Sequence, residues 1–296
     1  MRADLLPAHI HYAIGIDGGG TSTRARVVHR SGVVVGEGKA GASGLAQGIP
    51  QAWRHITQAI ASATEGRLQA GWPWPKPVRC ALGLGLAGAN NAAWHAQCVA
   101  ANPGYATLKL ESDAVTALLG AHGGGPGALV IVGTGAVALA LLPDGQRRSS
   151  GGWGFPSGDE GSGADLGLQA IKLTQRALDG RALPGPLSRA VLQATGGTPE
   201  ALLGWCGAAG QFDYASLTPL IFSYQACDSS AARLLERALH HLEALARAVD
   251  PGHKLPLVVA GSIGQRLLPG LSALVGARLV SPQGDAMEGA LTLCVQ

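Results

Sequence analysis

The amino-acid sequence predicts a two-lobed α/β protein in which each lobe is a mixed sheet flanked by helices. Short apolar runs of strand length alternate with stretches of helical spacing over most of the 296 residues. One pattern also occurs twice: a strand, a Gly/Thr turn, a second strand and another turn, with the glycine turns at residues 17–21 and 133–135. This weak internal repeat predicts two related lobes whose glycine turns face a shared cleft.

The first half is predicted to contain five strands, because apolar runs there end in turn residues. They cover Tyr12–Ile16, Thr23–Val28, Val33–Gly36, Val78–Leu86 and Leu108–Leu110. Helical spacing follows over Pro50–Leu68, Asn91–Ala101 and Ala114–Ala121, and residues 72–75 are predicted to form a loop. We expect an N-terminal lobe over residues 1–115, with a terminal helix at about 286–296 packing back on it.

The second half is predicted to be mostly helical. Its strands are Ala128–Val132, Ala136–Leu142, Leu257–Ala260 and Ala277–Val280. Its helices are Ala164–Leu178, Leu187–Thr195, Pro199–Cys206, Ser229–Val249 and Asp285–Leu293. Residues 116–285 are therefore expected to form a C-terminal lobe with a helical insertion.

Composition and charge exclude several functional classes. Hydrophobic residues make up 47% and charged residues 14%, which allows a large core. A net charge of +3 without long Lys/Arg runs argues against a nucleic-acid partner, and the absence of a long apolar stretch argues against a membrane span. The five cysteines are odd in number and lack C-x-x-C spacing, so we expect a reducing, cytoplasmic location without disulfides or zinc.

The first glycine turn is Asp17-Gly18-Gly19-Gly20-Thr21. Glycines after a strand let the backbone approach an anion and direct N–H groups at it, and Thr21 adds a hydroxyl donor. Asp17 is placed to hold Mg²⁺ through water. The alternative is a plain hairpin turn capped by Asp17; the pattern favours a phosphate site.

Two later turns extend this interpretation. Gly133-Thr134-Gly135 is the repeat partner of the first turn, and two facing turns could hold a triphosphate from both sides. Gly261-Ser262-Ile263-Gly264 links a predicted strand to a helix, where adenine or ribose could pack on backbone. Taken alone, this third turn is equally compatible with an ordinary loop.

Asp113 stands at a predicted strand-to-helix junction. As a general base it would take a proton from an attacking hydroxyl. As a structural residue it would be a capping or first-turn acid of the helix. The local sequence is compatible with both roles.

The loop Gly151–Gly163 combines two aromatic residues, Trp153 and Phe155, with the adjacent acids Asp159 and Glu160. Sugar sites often pair carboxylates for hydroxyl groups with an aromatic face for the ring. Aromatic residues form only 4% of the chain, so this concentration favours a sugar site over a solvated loop.

A dinucleotide site is disfavoured. Gly83–Gly88 matches G-x-G-x-x-G with Glu111 downstream, but Gly36–Gly41 matches as well in a chain with 45 glycines. The first match is not followed directly by a helix, and no G-x-x-x-x-G-K-[ST] pattern occurs.

Five ordered segments resemble the N-acetylglucosamine and glucosamine kinases of the BadF/BadG-type ATPases, within the actin-like ATPase superfamily. They are IGIDGGGTSTRARV, ESDAVTALLGAH, VIVGTGA, GGWGFPSGDEGSGADLG and VVAGSIG. The resemblance spans nearly the whole chain. It implies an actin-like, ribonuclease H-like fold with ATP in the interlobe cleft, a commonly dimeric assembly, and Mg²⁺-dependent transfer of the γ-phosphoryl group to a sugar 6-hydroxyl.

The resemblance also assigns roles residue by residue. Asp113 is implied as the catalytic base. The implied ATP contacts are Asp17, Gly18, Gly19, Gly20, Thr21, Gly133, Thr134, Gly135, Gly261 and Ser262. The implied amino-sugar contacts are Asp113, Gly152, Trp153, Gly154 and Asp159.

One departure concerns the sugar. The family usually has an asparagine that contacts the sugar after the third strand, where this chain has Gly44. Two alternatives follow: Ser43 takes over the sugar contact, or the sugar is held differently. The pattern leaves the preferred sugar open between N-acetylglucosamine, glucosamine and the related N-acetylmuramic acid. An ATP-driven activator of 2-hydroxyacyl-CoA dehydratases is the alternative from another functional class.

Overall fold

A computed structural model of the chain describes residues 6–69 and 76–295, so the predicted loop at 72–75 lies outside the described residues. The chain divides into two compact units. Unit 1 consists of Met1–Pro126 and Ser281–Gln296, and unit 2 consists of Gly127–Val280.

Strands and helices alternate in the order of an α/β protein. The strands are β1 (Tyr12–Gly18), β2 (Thr23–His29), β3 (Val34–Ala40), β4 (Cys80–Leu86), β5 (Thr107–Glu111), β6 (Gly127–Val132), β7 (Ala136–Leu141), β8 (Arg147–Gly151) and β9 (Leu257–Ala260). The helices are α1 (Ile49–Gln69), α2 (Ala92–Ala100), α3 (Asp113–Ala121), α4 (Gly163–Leu178), α5 (Pro186–Ala194), α6 (Pro199–Ala208), α7 (Gln211–Ser216), α8 (Thr218–Tyr224), α9 (Ser229–Val249), α10 (Ser262–Val275) and α11 (Ala286–Leu293).

Unit 1 is built on a mixed sheet with the order β3-β2-β1-β4-β5. Strands β1 to β3 are antiparallel neighbours, whereas β4 is parallel to β1 and β5 is parallel to β4. Every residue of β4 is buried, as expected for a strand covered by helices on both faces. Helix α1 packs on β2 and β3, and α11 packs on β1 and β4.

Two glycines let α11 lie close to this sheet. A Cβ on Gly15 would overlap the Met287 carbonyl, and one on Gly83 would overlap the Ala290 carbonyl. Helix α3 also packs against α11. Unit 1 therefore includes all of α3 and extends to Pro126, beyond the expected boundary after residue 115.

Unit 2 contains a second mixed sheet with the order β8-β7-β6-β9. Strand β6 pairs antiparallel with β7 and parallel with β9. Helix α9 packs on β6, β7 and β8, while α4, α5, α7 and α8 form the helical part of the unit. The predicted α/β class with two mixed sheets flanked by helices is confirmed.

The predicted strand Ala277–Val280 is wrong. Helix α10 ends at Val275 with Gly276 as its C-cap, whose φ of 63° is positive, and a 3₁₀ turn follows over Gly276–Arg278. Only Leu279 makes a bridge to Leu257 of β9, so the segment does not extend into a strand.

Within the described residues, no helix is long and apolar enough to cross a bilayer.

Candidate functional site

Unit 1 gathers its predicted site residues at one edge of its sheet. Strands β1, β4 and β5 run parallel, so their carboxyl ends meet at the same edge. Asp17 lies near the end of β1, and Asp113 follows β5 as the first residue of α3. The sheet topology thus brings together two acids that are far apart in sequence.

The first glycine turn connects β1 to β2 as a tight hairpin. Gly18 pairs with Thr23, and the Gly19 N–H donates to the Ser22 carbonyl at 3.0 Å. A Cβ on Gly19 or Gly20 would meet no atom within 4 Å, and neither residue has a left-handed φ. Neither the turn geometry nor internal packing therefore requires glycine at these two positions, and their backbone is open to a ligand.

The segment Gly41–Gln47, which we term the support loop, hydrogen-bonds to the carbonyl groups of Gly19 and Gly20. The N–H groups of Ser43 and Gly44 donate to the Gly19 carbonyl at 3.1 and 3.0 Å. The Gln47 side-chain amide donates to the Gly20 carbonyl at 2.9 Å. The loop therefore fixes the orientation of two consecutive peptide groups of the turn.

The Ser43 side chain lies beneath the turn. It has no exposed surface, and its hydroxyl is 2.8 Å from the Thr23 hydroxyl, which is itself 2.6 Å from the Gly41 carbonyl. A Cβ on Gly18 would overlap the Ser43 hydroxyl. Ser43 and the buried Gly44 thus support the first turn, and in this conformation the Ser43 side chain has no surface to offer a sugar.

Asp17 forms an ion pair across the hairpin. Its Oδ2 accepts from Nε and Nη2 of Arg24 at 3.0 and 2.5 Å, because Asp17 and Arg24 are direct partners in the β1–β2 ladder. Within the described residues, no group of three or more His, Cys, Asp or Glu side chains is arranged to bind a metal ion. A single partly exposed carboxylate fits Mg²⁺ held mainly by phosphate oxygens and water, rather than a cage of protein ligands.

Asp113 is set at the start of α3 by the N-cap Ser112, whose hydroxyl accepts from the Val115 N–H at 3.3 Å. The Asp113 Oδ1 accepts from the Ala114 N–H at 2.9 Å. Burial raises the pKa of the Asp113 carboxyl, the Ala114 N–H opposes this, and the charge of Asp17 raises it again. A carboxyl whose pKa moves towards neutrality is a better general base than an ordinary exposed aspartate.

The second glycine turn lies between β6 and β7 in unit 2. The Gly133 N–H donates to the Gly135 carbonyl at 2.9 Å. The first N–H groups of α4, from Gly163 and Ala164, donate to the Gly133 and Thr134 carbonyls at 2.9 and 3.1 Å. No atom lies within 4 Å of a Cβ built on Gly133, so this turn is also anchored on one side and open on the other.

The third turn follows β9, which is parallel to β6. Gly261 has a φ of 86°, and a Cβ there would overlap the Val132 backbone at the end of β6. Ser262 begins α10 and is exposed. Within unit 2, the second and third turns therefore lie next to each other at the carboxyl ends of two paired parallel strands.

The loop Gly151–Gly163, which contains Trp153, Phe155, Asp159 and Glu160, has an exposed part and a buried part. Gly152 and Gly154 have φ values of 71° and 85°, and Trp153 between them is 86% exposed. Phe155 instead packs on Tyr214, with ring centroids 5.0 Å apart, and so belongs to the core. Trp153 is thus the aromatic side chain of this loop that is available to a ligand.

Asp159 is only 4% exposed and has a left-handed φ of 63°. Its Oδ1 accepts from the Ala136 N–H at 3.2 Å, and its Oδ2 accepts from the Gln211 amide at 2.8 Å. Both oxygens also lie against Gly135, at 2.9 and 3.1 Å from the position that a Cβ on this residue would take. Asp159 therefore connects the loop Gly151–Gly163 to the second glycine turn.

Sequence reasoning missed three groups of this site. Arg24 could have been found from the register of a tight β1–β2 hairpin, which places it opposite Asp17. Gln47 and Gln211 give no local signal, because each acts on a backbone or side chain far away in sequence.

Comparisons with known proteins extend this picture. The glucosamine kinase GspK of Vibrio cholerae is 38% identical over 284 residues, which is 95% of each chain. The N-acetylmuramic acid/N-acetylglucosamine kinase of Clostridium acetobutylicum is 29% identical over 265 residues, 85% of each chain. A crystal structure of a candidate N-acetylglucosamine kinase from Chromobacterium violaceum matches with a TM-score of 0.89 at 45% identity, covering 97% of this chain and all (100%) of that one.

The model of the BadF/BadG/BcrA/BcrD ATPase family matches residues 14–265, which include all three glycine turns, Asp113 and Asp159. The resemblance inferred from the ordered motifs is thereby confirmed. This chain belongs to the BadF/BadG/BcrA/BcrD ATPase family.

Proposed function

We propose that the chain is an amino-sugar kinase that transfers the γ-phosphoryl group of ATP to the 6-hydroxyl of N-acetylglucosamine or glucosamine. The observation that carries the proposal is Asp113, a partly buried acid with a raised pKa beside Asp17, at the sheet edge that also bears the first glycine turn. The similar proteins named as glucosamine and N-acetylglucosamine kinases support the same class of reaction.

In the proposed reaction, the Asp113 carboxylate accepts a hydrogen bond from the 6-hydroxyl and takes its proton. The sugar oxygen forms a bond to the γ-phosphorus, the bond to the β,γ-bridging oxygen breaks, and ADP leaves. N–H groups of the glycine turns other than those of Gly19 and Gly133, which are bonded within the turns, would oppose the charge that develops on the phosphoryl oxygens. Mg²⁺, associated with Asp17, would supply further neutralisation of the triphosphate.

We assign the ATP contacts to Asp17, Gly18, Gly19, Gly20, Thr21, Gly133, Thr134, Gly135, Gly261 and Ser262. The proposed sugar contacts are Asp113, Gly152, Trp153, Gly154 and Asp159. Ser43 and Gly44, which were expected to contact the sugar, instead support the first turn. The Ser43 side chain packs against Gly18, and the N–H groups of both residues donate to the Gly19 carbonyl.

We also propose a homodimer in the cytoplasm, where the five free thiols would stay reduced.

A coupled assay of ADP release tests the proposed reaction. The acceptor panel contains N-acetylglucosamine, glucosamine, N-acetylmuramic acid, N-acetylmannosamine and glucose, each with Mg-ATP. We expect ADP release to depend on N-acetylglucosamine or glucosamine. ADP release that is unaffected by every sugar would contradict the proposal, and iron bound to the purified protein would favour the activator class instead.

A further inference from the structure

Unit 2 contains a cavity that the proposed kinase reaction does not use. It has a volume of about 680 Å³ and lies between the end of α4, the segment before α5 and the start of α9. Its charged lining comes from Arg176, Arg181, Arg233 and Asp228. A cavity of this size suits a small metabolite.

The positive charges of the lining exceed the negative ones. Arg181 is paired with Asp179. The Arg233 guanidinium has a hydroxyl partner, Ser230, at 3.0 Å, and among the described residues Arg176 has no side-chain hydrogen bond or ion pair. The charge of Arg233 also acts on the carboxylate of Asp228 in the same lining, but within the described residues neither Arg176 nor Arg233 forms an ion pair with a carboxylate.

The carboxylate of Asp228, which also lines the cavity, accepts hydrogen bonds from the protein backbone. Asp228 is 7% exposed, and its carboxylate accepts from the N–H groups of Leu187, Ser230 and Ala231 at 2.8, 2.8 and 3.3 Å. These bonds tie α5 to α9. These backbone bonds give the carboxylate a structural role that does not depend on an ion pair with Arg176 or Arg233.

We propose that this cavity binds a phosphate monoester or free phosphate through Arg176 and Arg233. Guanidinium groups are planar forks whose N–H groups match the oxygens of a phosphate, and they keep their charge at any physiological pH. The Ser229 and Ser230 hydroxyls in the lining supply further donors. A phosphate group satisfies these donors with one compact dianion, whereas an apolar ligand would leave them unpaired.

Cys227 gives a local reporter, because its exposed thiol also lines the cavity. The test measures the rate at which iodoacetamide labels Cys227 in the full chain, by site-resolved mass spectrometry. Inorganic phosphate and glucosamine 6-phosphate are added separately, with sodium chloride at matched ionic strength as the reference. Labelling of Cys206 in the same unit is recorded in parallel as an internal control.

We expect at least one of the two probes to slow Cys227 labelling several-fold in the unchanged protein. The concentration for half-maximal protection should rise about tenfold or more in Arg176→Ala and in Arg233→Ala. Arg247→Ala, which removes one charge near the other end of α9, should match the unchanged protein. The proposal is overturned if neither probe protects Cys227, or if protection is equal in all the variants. A lower half-protecting concentration for one probe identifies the preferred form of the phosphate.

Discussion

Gly18 and Ser43 pack so closely that a methyl group on Gly18 would overlap the Ser43 hydroxyl. Gly18 belongs to the first glycine turn and Ser43 to the support loop, so this contact joins two segments that are separate in sequence. It explains why a small residue is needed at position 18, although Gly18 does not have a left-handed φ.

The contact predicts an energetic coupling between the two positions. Gly18→Ala should lower the free energy of unfolding by about 1–3 kcal/mol, because the core beneath the turn is overpacked. Adding Ser43→Ala removes the overlapping oxygen and should recover part of this loss. Urea unfolding of the two single variants and the double variant measures the coupling, which we expect to exceed about 0.5 kcal/mol. Strictly additive effects would show that the two residues are not in contact.

Gln47→Ala should weaken ATP binding without unfolding the protein. The side chain is exposed, and its hydrogen bond to the Gly20 carbonyl orients a peptide group of the turn. Loss of one such bond corresponds to about 0.5–1.5 kcal/mol, or roughly a 2- to 12-fold rise in the KM for ATP. Steady-state kinetics should show little change in kcat. The exposed Gln97→Ala variant on α2 is the control, and an equal KM in both variants would refute the role of Gln47.

Asp113→Asn should abolish most of the phosphoryl transfer. An amide keeps the size of the side chain but cannot take the proton of the sugar hydroxyl. We expect kcat to fall by roughly 10²–10⁴ while ATP affinity, measured by calorimetry, stays nearly constant. Near-normal turnover of the variant would remove Asp113 from the reaction.

The same substitution should change stability with pH. The pKa of Asp113 is raised from 3.8 in the folded protein, mainly by burial, so the folded state is penalised when this carboxyl is charged. Asp113→Asn should therefore stabilise the protein at neutral pH. The gain should shrink as the pH falls through the raised pKa and disappear below the ordinary aspartate value. Thermal unfolding from pH 3 to pH 8 checks this, and a gain independent of pH would contradict the burial argument.

Gln211 should be coupled to Asp159. Gln211→Ala removes the donor to a buried carboxylate oxygen and should cost about 1–3 kcal/mol of unfolding free energy. Gln211→Glu should cost more at neutral pH, because it places two carboxylates side by side, and the difference should diminish as the pH falls and one of them is protonated. Gln193→Ala, an exposed glutamine in the same unit, is the control. A Glu variant as stable as the Ala variant at neutral pH would argue against the contact.

Local patterns were sufficient for much of the fold. The apolar runs that predicted β1, β4 and β6 reappear as buried strands, since a strand covered on both faces must be apolar throughout. The prediction failed at Ala277–Val280, where the residues are apolar enough for a strand. There the positive φ of Gly276 and the single bridge of Leu279 to β9 decided the outcome.

The ordered glycine turns, the acids and their separations identify the class of the protein, because these local features can be recognised without knowledge of the fold. The contacts of each residue, in contrast, follow from the tertiary structure. Ser43, expected to touch the sugar, lies under the first turn, and Asp159 is engaged by Gln211 and Ala136. Such contacts depend on strand register and on the approach of distant helices, and a side chain's chemistry does not reveal which distant group will lie beside it.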